Sequence, residues 1–229
     1  MATGQALDHQ SRPGVCSKKK QRDRLMRLIL AHPEWALGFE DETWWSRFAQ
    51  PQMHAWGEPN QALKLVEKTS HPNDPEPKAL ACYGLLVRCY AQARSLPEQV
   101  WLRFAEGNPS SQLTIAYLQW CCDKLQAEGK KALLLIWDNA SWHRSQAVQS
   151  WIKAHNQQVK HSGQGVRLLV CPLPTKSPWL NPIEPMWLHG KRRVAEPEEV
   201  LAPTELAERV CAAFDQPYEA HLSVSKNVA

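Results

Sequence analysis

The sequence predicts an α/β fold in three layers, with a mixed sheet whose antiparallel meander is followed by parallel strands. Three observations carry this. Two apolar runs, "ALACYGLLVRCY" (79–90) and "QVWLRFAE" (99–106), are joined by the turn-rich "AQARSLPE" and read as an antiparallel hairpin. Two further runs, "ALLLIW" (132–137) and "VRLLVCPLP" (166–174), alternate with helical patterns, as right-handed βαβ crossovers require. The composition, 43% hydrophobic and 22% charged over 229 residues, fits one large domain with extensions rather than two full domains.

Taken in order, residues 1–20 lack apolar periodicity and are expected as a disordered basic leader ending in Lys18, Lys19 and Lys20. A linker helix is expected over 21–34, with Leu25, Met26, Leu28 and Ile29 turned inward and a stop before Pro33. "WALGFEDETWW" (35–45) reads as a strand despite its acids. Residues 49–78, rich in Pro, Asn, His and Gln, read as an irregular excursion with one short strand near "MHAWGE" (53–58). After the hairpin, apolar residues at 113, 117, 118, 121 and 125 repeat with helical spacing over 110–129, and Gly129 stops that helix. A second helix is expected from Ser145 to His155 and a third beyond Asn181. Strand, strand, strand, helix, strand, helix, strand, helix is the ribonuclease-H-like plan. The domain carrying it is placed at 35–195, with an acidic linker, helix and tail over 196–229.

Several classes are excluded or left open by composition. The longest apolar run is far too short to span a bilayer and the N-terminus has no signal core, so a cytoplasmic protein without membrane contact is expected. Seven cysteines, odd in number and without a C-x-x-C pair, indicate a reducing compartment and no zinc site. The net charge of +4 permits a polyanionic partner without demanding one. Eleven tryptophans exceed what a core of this size needs, so some are expected at the surface.

The acids draw attention by position. Asp138 and Asn139 break the strand at 132–137, where ligands collect in an α/β sheet, although an Asp-Asn pair also suits a plain turn. Alternation along "FEDET" sets Asp41 on the face of Phe39 and Thr43, with Glu40 and Glu42 on the other. A central strand tolerates such a carboxylate only where something cationic meets it. In "TKSPWLNPIEPMWLHGKRR" (175–193), Asn181, Pro182 and Glu184 read locally as a helix start, with Glu184 reaching back to Asn181 in a capping box. Three carboxylates from two strand ends and a helix start also make a hard-oxygen site for magnesium, and two such ions about 3.5–4 Å apart suit in-line phosphoryl transfer.

"FEDETWW", "IWDNASWH" and "LPTKSPWLNPIEPMW" resemble the three acidic motifs of DDE superfamily endonucleases, the transposases of the mariner-like superfamily, in the bacterial insertion sequence six-thirty branch. The similarity runs from about Lys18 to Phe214, and its third motif is the most specific. The resemblance implies a ribonuclease-H-like fold and magnesium-dependent cleavage and joining of DNA, with manganese as a substitute and two ions. Its metal-binding and catalytic triad falls on Asp41, Asp138 and Glu184. His143, Asn139 and Asn181 are candidates for positioning substrate. Lys176, Trp179, Lys191, Arg192 and Arg193 are candidates for DNA contact, although cations also suit a helix C-terminus. The partners so implied are element ends and target DNA, a helix-turn-helix segment encoded separately or lost, and a second copy in a homodimer. Two departures accompany the resemblance. The 46-residue spacing from Asp138 to Glu184 is long, with the excess expected in a polar loop at 156–165, and forty residues precede Asp41, where relatives carry helix-turn-helix modules. A non-catalytic remnant that binds DNA or a partner, and a general nuclease of the same fold, are the competing readings.

Overall fold

The computed structural model describes residues 13–48, 73–91, 94–175, 177–194 and 200–223. Its centre is a six-stranded mixed sheet of β1 (Trp35–Ser46), β2 (Ala79–Ala91), β3 (Arg94–Ser95), β4 (Gln99–Ala105), β5 (Ala132–Trp137) and β6 (Arg167–Pro172), in the order β3-β2-β1-β5-β6 with β4 also paired to β2. β1, β2 and β4 pair antiparallel, whereas β1–β5 and β5–β6 are parallel. The meander followed by crossovers is the expected plan. The expected strand near 53–58 lies outside the described residues.

Strand alternation divides the core into two apolar layers. On one face Leu37, Phe39, Leu134 and Ile136 pack with α1 (Pro13–Ile29), α4 (Ile183–Arg193) and α5 (Pro203–Ala213). On the other, Ala36, Leu133, Leu135 and Trp137 pack with α2 (Ser111–Ala127) and α3 (Gln146–Ser162). Each large side chain so buried contributes about 1.5–3 kcal/mol relative to exposure. β1 is therefore a central strand with both faces covered, which makes its three acids conspicuous.

The helices correct several expectations. α1 begins at Pro13, inside the leader expected to be disordered, and ends at Ile29 rather than near residue 34. Proline fits the first helical position, and the lysines, glutamine and arginines that follow are good helix formers even without an apolar stripe. Arg22, Leu25, Met26 and Ile29 form the inward stripe, while Leu28 lies at its flank and is 42% exposed. Arg22 donates from Nη1 to the carbonyl of Leu180 (2.9 Å), which ties α1 to the short 3-10 turn Pro178–Leu180. α3 continues past His155 to Ser162, so most of the polar stretch expected as a loop is helical. The Asn156 side chain binds the backbone of Leu168 in both directions at 2.8 Å, and Gly163, at φ +68°, supplies the left-handed cap that ends the helix. This extension abuts the start of β6, which pairs with the start of β5, at the end of the sheet opposite Asp138.

The segment beyond residue 200 is part of the same body. Leu206, Ala207, Val210 and Cys211 of α5 enter the layer that holds Ile183 and Trp187. Buried Arg47, just past β1, donates to the carbonyl of Leu201 (2.6 Å) and pairs with Asp74 (3.0 Å). Leu222 then forms a parallel bridge to Ala105 on β4, with bonds of 2.7 Å to the Phe104 carbonyl and 2.9 Å from Glu106.

Candidate active site

The β1–β5 ladder ends at Phe39 opposite Ile136. Asp41 and Asp138 each lie two residues beyond that pair, so they occupy equivalent positions on neighbouring parallel strands, which run about 4.8 Å apart. Glu184 comes to them from the first turn of α4. Asp138 and Glu184 line one cleft of about 230 Å³ together with Asn139, Leu173, Ser177 and Asn181.

Glu184 is not in a capping box. The 3-10 turn ends at Asn181, the cap position of α4 is Pro182, and no side chain caps the helix. The Asn181 amide instead donates to the carbonyl of Glu40 (3.1 Å), which docks the start of α4 on β1. Among the described residues the Glu184 carboxylate makes no hydrogen bond and stands exposed at the cleft. Burial and the Asp138 charge raise its pKa, with Lys191 acting against them.

Asp41 is held from α4. The Trp187 indole donates to its Oδ2 (2.9 Å), and the residue opposite Asp41 on β2 is Gly84. A Cβ at Gly84 would lie 2.6 Å from Cζ2 of Trp187, so only glycine lets the indole cross β2 to reach the carboxylate. Burial first, then the Glu184 charge, pushes the Asp41 carboxyl up to about 7. Asp138 is the reverse case: a hydrogen bond from His143 holds its carboxyl below the usual range, against some burial. Its Oδ1 accepts from His143 Nδ1 (2.9 Å) and from the Ala140 N–H (2.8 Å), so the expected Asp-Asn turn exists as well.

His143 does not face the cleft. Its side chain is fully buried, stacked on Trp137 with centroids 4.4 Å apart and planes 7° from parallel. Nε2 faces Glu42 Oε1 at 3.2 Å and Glu40 Oε2 at 3.1 Å; the Glu40 contact lacks hydrogen-bond alignment and is electrostatic. Both ring nitrogens face carboxyl groups, an arrangement that favours the doubly protonated ring. Burial opposes that charge, but the Glu40 carboxyl beside the ring and the hydrogen bonds to Asp138 and Glu42 outweigh it and hold the imidazole well above its ordinary pKa. Burial, with Glu42 beside it, pushes Glu40 up to about 8. Among the described residues, the acids and histidines whose ligand atoms all lie within 4.8 Å of one another are Glu40, Glu42 and His143, not the expected triad.

The other candidates are dispersed. Asn139 lines the cleft and donates to the Leu173 carbonyl (2.5 Å), closing the β5 turn onto the end of β6. Trp179 is 50% exposed beside the cleft, and Lys191, Arg192 and Arg193 are exposed in the last turn of α4. Lys191 Nζ sits 5.8 Å from the Trp45 ring centroid. Lys176 lies outside the described residues. Trp142, in the turn after β5, spends its indole N–H on Glu42 (2.7 Å). The sequence reading missed the Trp187–Asp41 bond and the Glu40–His143 contact. A glycine inside an apolar strand marks close backbone approach, and Gly84 was the available signal for the first.

A family model described as DDE superfamily endonuclease matches residues 66–204, a span that includes Asp138 and Glu184 and omits Asp41. Among solved structures, the chain is similar to Mos1 transposase in a paired-end complex with the left transposon end, at 16% identity and a TM-score of 0.55, over 89% of this chain and 54% of that one. It is also similar to a pre-cleavage Mos1 transpososome, at 16% identity and a TM-score of 0.50, over 86% and 53%. The chain spans about half the length of these neighbours, and the likeness is one of fold. No curated protein matches by sequence.

Proposed function

The chain belongs to the DDE superfamily endonuclease family, and from that membership we propose that it is the catalytic part of a transposase that cleaves and joins DNA strands with magnesium. Asp41, Asp138 and Glu184 are the ligands in this reading. The observation that carries it is the pairing of Asp41 and Asp138 at equivalent positions past the β1–β5 ladder, with Glu184 lining one cleft with Asp138 and its charge acting on Asp41. Carboxylates gathered this way repel, and the upward shifts of Asp41 and Glu184 register that repulsion together with burial. A hard divalent cation fits such an all-oxygen donor set.

Asp41, Asp138 and Glu184 would hold two such ions, which when bound would supply activation of the attacking oxygen and stabilisation of the leaving one. The chain's own groups fix the donors. Trp187 holds one oxygen of Asp41, the Asn181 amide keeps α4 against β1, and Asn139 fastens the turn that carries Asp138. Trp179 beside the cleft and the cations of α4's last turn offer stacking and phosphate contacts to DNA. The shared fold with transposon-end complexes supports a DNA substrate. Reading of the element ends is assigned to a helix-turn-helix segment, since phosphate contacts carry no sequence. We place this chemistry in the bacterial cytoplasm; no helix among the described residues is long and apolar enough to cross a membrane.

The test uses purified Asp41→Asn, Asp138→Asn and Glu184→Gln proteins shown by circular dichroism to be folded. Each is expected to lose magnesium- and manganese-dependent cleavage of DNA bearing the element's ends. Cleavage retained by folded Asp138→Asn protein sinks the assignment. A wild-type protein that cuts any DNA alike even when a helix-turn-helix segment is supplied is a general nuclease of this fold, and one that binds DNA without cutting it is the non-catalytic remnant.

A further inference from the structure

Backbone pairing between β1 and β5 stops at Phe39 and Ile136, so the ladder does not reach Asp41 or Asp138. Beyond that point an imidazole from the turn after β5 reaches across between the two strands. His143 Nδ1 meets Asp138 Oδ1 at 2.9 Å, and Nε2 meets Glu42 at 3.2 Å and Glu40 at 3.1 Å, the latter two on the face of β1 opposite Asp41. The ring has no freedom to swing away: Trp137 stacks flat on it, Trp142 packs edge-on with centroids 6.0 Å apart, and none of its surface is open. Trp142 also holds the Glu42 carboxylate at 2.7 Å, so the far end of the bridge is fixed too. On Asp138, Oδ1 is taken by His143 and by the Ala140 N–H, while Oδ2 makes no hydrogen bond among the described residues.

We propose that His143 is a positioning residue: it clamps one oxygen of Asp138, aims the other into the cleft, and through Glu40 and Glu42 sets the two aspartate-bearing strand ends beside each other. The inference rests on the reading of Asp138 as a magnesium ligand. A partner that fixes a ligating carboxylate from behind governs affinity for the ion without touching it.

The bridge has two ends, and two substitutions separate them. The amide nitrogen of asparagine falls near the place of Nδ1, and that of glutamine near Nε2. In a Glu40→Gln background, which replaces a buried titratable carboxyl with a neutral amide, His143→Asn keeps the donor to Asp138 and His143→Gln keeps the reach to Glu42. Isothermal titration with magnesium alone is expected to show binding weakened about tenfold or more by His143→Gln and by less than about threefold by His143→Asn. Equal affinities, or equal losses, overturn the proposal. A parent protein that binds no magnesium overturns the site reading along with it, whereas indifferent His143 variants of a binding parent overturn this inference alone. Should a variant not fold, nitrogen-15 NMR of the unaltered protein decides. The Nδ1 signal of His143 is expected to carry a bonded proton and to move as magnesium is added; an Nδ1 signal that ignores magnesium overturns the proposal. One zinc per purified chain, lost in Glu42→Gln, also overturns it, because the imidazole is then a ligand.

Discussion

The Trp187 indole donates to Asp41 Oδ2 over 2.9 Å, across a gap in β2 that exists because Gly84 faces Asp41 in the ladder. A residue of α4 thereby orients a carboxylate on the central strand, and the helix that brings Glu184 also fixes Asp41. The two acids cannot be displaced independently.

Trp187→Phe keeps an aromatic ring and removes the donor. Loss of one hydrogen bond and a little packing is expected to lower stability by about 1–2 kcal/mol in urea unfolding. It also frees Asp41 Oδ2, so the magnesium concentration for half-maximal cleavage is expected to rise. An unaltered metal requirement shows the bond to be structural only.

At Gly84 the expected effect is steric. A methyl group there overlaps the Trp187 ring and lies 3.1 Å from Ile183 Cδ1, so Gly84→Ala is expected to cost about 1–3 kcal/mol. In the double variant with Trp187→Phe the losses should not add, because the smaller ring vacates the space. Chemical denaturation of the four proteins closes the cycle, and strict additivity refutes the contact.

Without metal, stability should fall as pH rises. Asp41 goes up to about 7 in the folded protein from an ordinary carboxylate value, Glu40 goes up to about 8, and Glu184 also moves upward. Groups with raised folded pKa values bind more protons folded than unfolded, so stability declines from about pH 4 through about pH 8. His143, held above its usual range, acts in the same direction at higher pH. Melting temperatures from pH 5 to 8 should decrease in a chelator, and less steeply for Asp41→Asn. Magnesium should raise them most at the alkaline end. A flat profile argues that the acids do not converge.

Arg192→Ala with Arg193→Ala should weaken binding to any duplex alike. If each contacts one phosphate, the slope of log affinity against log salt should shrink by about 0.9 per residue. Filter binding at several salt concentrations with element-end and scrambled duplexes reads this directly. A loss confined to the element's end assigns base reading to this turn.

Strand order and the two faces of β1 were legible because period-2 alternation is local: Asp41 could be set apart from Glu40 and Glu42 by counting. The need for a cation against acids on a central strand was legible too. That His143 meets it was not, because the histidine is about a hundred residues away and its reach depends on how the turn after β5 closes. Asn181 misled for a related reason. Its spacing to Glu184 suits a capping box, yet a tertiary acceptor, the Glu40 carbonyl, takes the amide. Trp187 is 4% exposed, as a large apolar side chain in a helix is expected to be, but apolar periodicity says nothing of where an indole N–H points. The start of α1 was missed because a charged helix without an apolar stripe carries no periodic signal.

The short bridge of Leu222 to Ala105 bears on solubility. β4 pairs with β2 along one side, and an unpaired outer side would offer its N–H and C=O groups as a template for another chain's strand. Leu222 occupies part of that side, between Phe104 and Glu106. Residues far from the acids thus act as a guard against edge-to-edge association. A protein cut after Gln216 would keep every acid of the cleft and still be prone to self-assemble, the more so when concentrated for crystallisation.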